Sequence, residues 1–144
     1  MWRQLTEQDI RDTVSDREWE SYARAAEGLN WDPATVARVI RRTVDMVRGY
    51  IASSPRGIRM PAEELTLPAG LIGPAADYAV VSLFRRVPKD IRKERMDARA
   101  EAVKLFERVA EGKAAVEAGG GASGAALVNP SRVRAGSRTL EATP

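Results

Sequence analysis

Arg38, Arg41, Arg42 and Arg48 fall at near-helical spacing within one stretch of the chain. They are its best-placed candidates for chemistry. A guanidinium is a planar fork of N–H donors that matches phosphate oxygens, so such a row can meet a nucleic-acid backbone. Asp45 lies among the four and weakens that reading. A solvated helix face, or a contact with an acidic neighbouring subunit, explains the row as well. The second feature is Asp77, a lone carboxylate in an apolar stretch. As a catalytic acid or base it would need a second acid, a base or a metal nearby, and no such residue stands at a suitable spacing. A structural role follows instead: a cap, an ion pair with an arginine, or a subunit contact. The chain has no histidine and no cysteine. That removes the commonest general base, the commonest metal ligand and any thiolate. No catalytic residue, cofactor or metal is expected. Gly119–Gly121 is not a phosphate loop, because it lacks the preceding strand, the following helix and a GK[ST] ending. It reads as a linker.

The elements that must carry these residues are helical. Thr6 reads as an N-cap with an acid three residues on, and Ser15 with Glu18 as a capping box. The box opens a helix that bears Trp19, Tyr22 and Ala26 and ends near Gly28. Asp32 and Pro33 supply a cap and a first-turn proline for a helix reaching about Ser53. At 100° per residue, Val36, Val39, Ile40, Val44, Met46, Val47, Tyr50 and Ile51 share its apolar stripe. The arginines and Asp45 fall opposite. Pro55, Gly57, Pro61 and Pro68 break the pattern and imply a long connection with room for a short strand or an extended arm. A helix from Pro74 to about Val87 has almost no polar face, so it is expected at the centre of a bundle. The last helix, from about Lys89 to Glu111, carries Ile91, Ala98, Ala102, Leu105, Phe106 and Val109 inward and ends at Gly112. No strongly alternating strand is visible in this body. The expectation is all-α: four to five helices around one central apolar helix, with a long extended C-terminal tail.

The organisation is a helical domain over residues 1–112 and a Gly-rich arm over 113–144. The 144 residues carry a net charge of +3. The arm supplies +2 of it, from Lys113, Arg132, Arg134 and Arg138 against Glu117 and Glu141. The body is therefore almost balanced, unlike a domain that coats nucleic acid. The arm is too poor in apolar residues to fold alone. Within it, Leu127, Val128, Arg132, Val133 and Arg134 have strand-like character. Pro130 confines that stretch to an edge. It either adds as a strand to a partner's sheet or stays unfolded. No apolar run is long enough for a membrane span, the opening MWRQLTEQD lacks a signal peptide's apolar core, and the missing cysteines fit a reducing cytoplasm.

Four segments in order carry a resemblance: LTEQDIRD, TVARVIRRTVDMVRGYIASSPR, LTLPAGLIGPAADYAVVSLFRR and ERMDARAEAVKLFERVAEGKAAVE. Over roughly Leu5–Val116 the chain resembles the head–tail connector (adaptor) proteins of tailed bacteriophages, the Mu-like phage neck protein family. The resemblance implies a virion protein at the head–tail junction, assembled in the host bacterial cytoplasm. It implies a homo-oligomeric ring, typically of twelve copies, beneath the portal protein. Such a ring extends the channel through which DNA passes without sequence-specific contact, and it presents a surface to the next neck or tail-completion protein. It also implies a portal-docking role for the arm, tethered at Gly119–Gly121 and gripping through Leu127–Arg134. The alternative from a different class is a small helical nucleic-acid-binding protein that uses Arg38, Arg41, Arg42 and Arg48.

Overall fold

The computed structural model describes residues 1–26 and 32–116. Five helices and one two-stranded ribbon make up the described part. Strand β1 (Trp2–Gln4) leads to helix α1 (Glu7–Asp12). Thr6 caps α1 reciprocally: the Asp9 amide donates to Thr6 Oγ1 at 3.3 Å, and the Thr6 amide donates to Asp9 Oδ2 at 2.8 Å. Helix α2 (Asp16–Ala25) is capped by Ser15, whose Oγ accepts from the Glu18 amide at 3.1 Å. Only this half of the expected capping box forms. The Glu18 carboxylate turns away and binds Arg95 instead, at 3.0 and 3.2 Å. Helix α3 (Pro33–Ala52) starts where Asp32 accepts from the Thr35 amide at 2.8 Å.

The connection after α3 contains β2 (Thr66–Pro68), which pairs antiparallel with β1 in the register Trp2↔Pro68, Arg3↔Leu67, Gln4↔Thr66. β2 is the short strand for which the proline-broken connection had room, whereas its partner β1 at the other end of the body was not expected. Three-residue strands are too short to show alternation, and each needs a partner far away in sequence. The ribbon also moves the start of the next helix. Helix α4 spans Ala69–Phe84, with Pro74 inside it rather than at its first turn. Pro68 leaves β2 straight into the helix, and the Ala69 amide donates to the Met1 carbonyl at 2.8 Å. Pro74 sits in the second turn. Its missing N–H removes one i→i−4 bond, and its fixed φ is compatible with the helix.

Helix α4 is the centre of the molecule, as its composition implies. Leu71, Ala75, Ala79, Val80, Val81, Leu83 and Phe84 are completely inaccessible to solvent. Helices α1, α3 and the last helix, α5 (Lys93–Ala110), pack around it. From α2, Tyr22 stacks on Phe84 with ring centroids 3.7 Å apart, and its hydroxyl donates to the Asp90 carbonyl. That bond ties α2 to the irregular connection between α4 and α5, and α5 begins at Lys93, later than the expected Lys89. Its end is a Schellman turn: the Lys113 amide donates to Arg108 O and the Gly112 amide to Val109 O. Gly112 has φ +79°, and a Cβ there would lie 2.8 Å from Pro55 Cγ, so glycine is required. The chain then turns back, and Ala114 and Val116 are buried in the core. The packed body therefore reaches Val116, past Gly112.

Candidate functional site

The arginines of α3 do not share one fate. Arg48 lies under the loop that precedes β2. Its Nη2 donates to Pro61 O at 2.7 Å. Its Nη1 donates to Thr66 O at 2.8 Å, Glu63 O at 3.1 Å and Thr66 Oγ1 at 3.2 Å. The guanidinium also lies 5.6 Å from the centre of the Trp2 ring. Arg48 is a clamp between α3, the loop and the ribbon. Arg41 reaches the same loop from outside and pairs with Glu64 at 2.7 Å. Both side chains of that pair are largely in solvent, so the contact adds little stability. Arg38 donates to Thr35 Oγ1 at 3.2 Å and is otherwise exposed.

Arg42 lies elsewhere. It lines a cavity of about 360 Å³ between α3 and α4, together with Thr43, Tyr78, Ser82, Arg85 and Arg86. Arg85 caps the C-terminus of α4 and Arg86 follows it. The guanidiniums of Arg42, Arg85 and Arg86 have no hydrogen-bond or ion-pair partner among the described residues. Behind the cavity wall, the Arg99 guanidinium covers the Tyr78 ring at 4.6 Å, and its Nε is buried without a hydrogen-bond partner. Sequence reasoning found Arg42 and missed Arg85 and Arg86. Their signal was an Arg-Arg pair closing an otherwise apolar helix and directed to its solvent end.

Asp77 lies on a neighbouring face of α4, in an open groove of about 580 Å³ between α4 and α5. Pro74, Ala98, Ala102 and Leu105 give the groove its apolar surface, and Glu101, Lys104 and Arg108 its charged edge. The carboxyl is half-buried and forms no hydrogen bond or ion pair among the described residues. Burial pushes its pKa above the ordinary carboxylate value, and the positive field of Arg95 partly offsets the shift. Among the described residues, an ion pair between helices is made by Glu18 and Arg95 instead. The Glu18 side chain is only 7 % exposed, and hydrogen bonding to it raises the Arg95 pKa.

Among the described residues, no group of three or more acidic side chains could hold a metal ion. No described helix is long and apolar enough to cross a membrane. The arm residues Leu127, Val128, Arg132, Val133 and Arg134, and the linker Gly119–Gly121, lie outside the described residues.

The fold is a small helical body with a cationic cavity between α3 and α4 and a mixed apolar groove between α4 and α5. The family model described as bacteriophage Mu, Gp36 matches residues 5–134, and the chain belongs to that family. It is accordingly a phage protein of the structural and morphogenesis type. No curated protein and no solved structure matches the chain.

Proposed function

We propose that the chain is a head–tail connector: a ring, of twelve copies in the arrangement its resemblance implies, that sits beneath the portal of the virion. The ring extends the DNA channel and offers its far side to the next neck or tail-completion protein. The C-terminal arm docks on the portal, with Gly119–Gly121 as tether and Leu127, Val128, Arg132, Val133 and Arg134 as the grip. The observation that carries this reading is the extent of the family match. It does not stop at the packed body, which reaches Val116, but continues through the linker to Arg134. The family pattern therefore includes a segment that is too polar and Gly-rich to have a core of its own. A segment of that kind serves a partner's surface, and in a ring each weak arm contact raises the effective concentration of the next.

The groove beside Asp77 supports the same reading. A half-buried carboxyl without a partner, next to apolar surface, suits a contact that is completed by another subunit. The arm is tested by removing it. A chain of residues 1–117 keeps Ala114 and Val116 and so retains the packed body. It should bind portal rings about 10²-fold or more weakly than the full chain in co-sedimentation, through loss of multivalency. Equal binding by both chains rules out docking through the arm.

A further inference from the structure

The cavity between α3 and α4 offers charged hydrogen-bond donors and, among the described residues, no carboxylate to receive them. Three guanidiniums line it, that of Arg42 from α3 and those of Arg85 and Arg86 from the C-terminal end of α4, and no carboxylate does. Several other arginines of the body are engaged: Arg3 with Asp9, Arg41 with Glu64, Arg95 with Glu18, Arg48 with loop carbonyls and Arg56 with Gly112 O. Arg17, Arg92 and Arg108, which have no such partner among the described residues, line cavities that also hold carboxylates. Two hydroxyl hydrogens of the cavity wall are committed, Thr43 Oγ1 to Val39 O at 2.8 Å and Ser82 Oγ to Tyr78 O at 3.2 Å, while the Tyr78 hydroxyl accepts from Arg99 at 3.5 Å. What remains available is chiefly N–H on permanently charged groups, with the Tyr78 O–H beside them, so the complementary ligand is an anion rich in acceptors.

A plainer explanation covers part of this. Cations near a helix C-terminus complement the helix dipole, and that accounts for Arg85 and Arg86 at the end of α4. It does not account for Arg42, which projects into the same cavity from the middle of α3. Like charges brought together repel, and a bound anion relieves the repulsion. Arg38 stands one turn before Arg42 on the exposed side of α3. The cations therefore extend across the surface as a row, which fits a polymer of regularly spaced phosphates better than a single carboxylate.

We propose that this cavity is a phosphodiester-binding site for duplex DNA, contacted by Arg42, Arg85 and Arg86 without regard to base sequence. Phosphate binding there does not depend on the connector reading. Placing this face on the wall of the DNA channel does rest on it.

The test uses the full chain and a short labelled duplex of mixed sequence, with binding followed by fluorescence anisotropy over a range of salt concentrations. Each phosphate neutralised contributes about 0.9 to the slope of log K against log salt. The exposed-residue variant R42Q/R85Q/R86Q should reduce the slope by about 2–3 and weaken low-salt binding by about 10-fold or more. R41Q, whose partner is Glu64, should change neither appreciably. Thermal melting of each variant checks that the fold is retained. Inorganic phosphate should compete only at concentrations far above those of the duplex. Any of four results overturns the proposal. The wild type fails to bind duplex at low salt. The triple variant binds with the wild-type slope. The slope falls instead when Arg132, Arg134 and Arg138 of the arm are neutralised. Or the variant loses self-association rather than DNA binding, which would assign the cavity to an acidic face of a second copy.

Discussion

Replacing Arg48 with alanine separates a structural arginine from a ligand-binding one. The side chain donates to four acceptors in the loop and β2, and the two shortest contacts, to Pro61 O and Thr66 O, measure 2.7 and 2.8 Å. A net charge-assisted hydrogen bond contributes about 1.5 kcal/mol at the low end of its range, so these two give about 3 kcal/mol. The longer contacts share the Nη1 donor, and Glu63 O has water to replace it, so they add little. The Trp2 contact adds about 0.5 kcal/mol. R48A should therefore cost about 3–4 kcal/mol. For a body of this size that lowers the melting temperature by roughly 10–20 °C. Amide hydrogen exchange should accelerate in Trp2–Gln4 and in residues 61–68 before the rest of the body, because Arg48 ties the loop and ribbon to α3. R48K restores the charge without the fork and should recover less than half of the loss. Circular dichroism melts and hydrogen-exchange mass spectrometry read both effects. A melting temperature for R48A within about 2 °C of wild type, where the melt should fall several-fold further, would refute the clamp. It would mean that β1–β2 pairing alone holds the loop.

Two further perturbations follow from the same contacts. R95A leaves the Glu18 carboxylate buried without its partner and should destabilise the body by about 3 kcal/mol or more, whereas the double variant E18Q/R95M should recover part of that loss; equal melts for R95A and the double variant would contradict it. At Asp77 the folded-state pKa is raised, chiefly by burial, so the native state holds the proton more tightly than the unfolded chain does. Its ionisation therefore removes stability as pH rises through the raised value, and below the ordinary carboxylate pKa the penalty vanishes. D77N should melt above wild type at neutral pH and converge with it in acid, and a difference that is independent of pH would show that the charge is not the cause.

How much was legible in the sequence depended on how local each cause was. Three helix starts could be read because Thr6, Ser15 and Asp32 cap with their own side chains within three residues. Helix α4 has no side-chain cap, so Pro74 looked like its beginning, and the true start depends on a strand that pairs with the other end of the body. The apolar stripe of α3 was correctly oriented, yet the same helical wheel placed Arg48 outside. A wheel does not know that a proline-broken loop folds back over that face. Glu18 read as a capping partner for the same reason: its true partner lies on α5, a long way along the chain. At the candidate site, Arg42 was legible from spacing alone. Arg85 and Arg86 were not, because their significance arises only when the end of α4 packs beside the middle of α3.

The most direct test of the connector assignment is cryo-electron microscopy of the full chain mixed with portal rings from the same particle. The account predicts a closed ring of copies stacked coaxially on the portal, with density for the arm leading from each body into the portal. A chain that remains monomeric beside unaltered portals, or that binds elsewhere on the capsid, would contradict it.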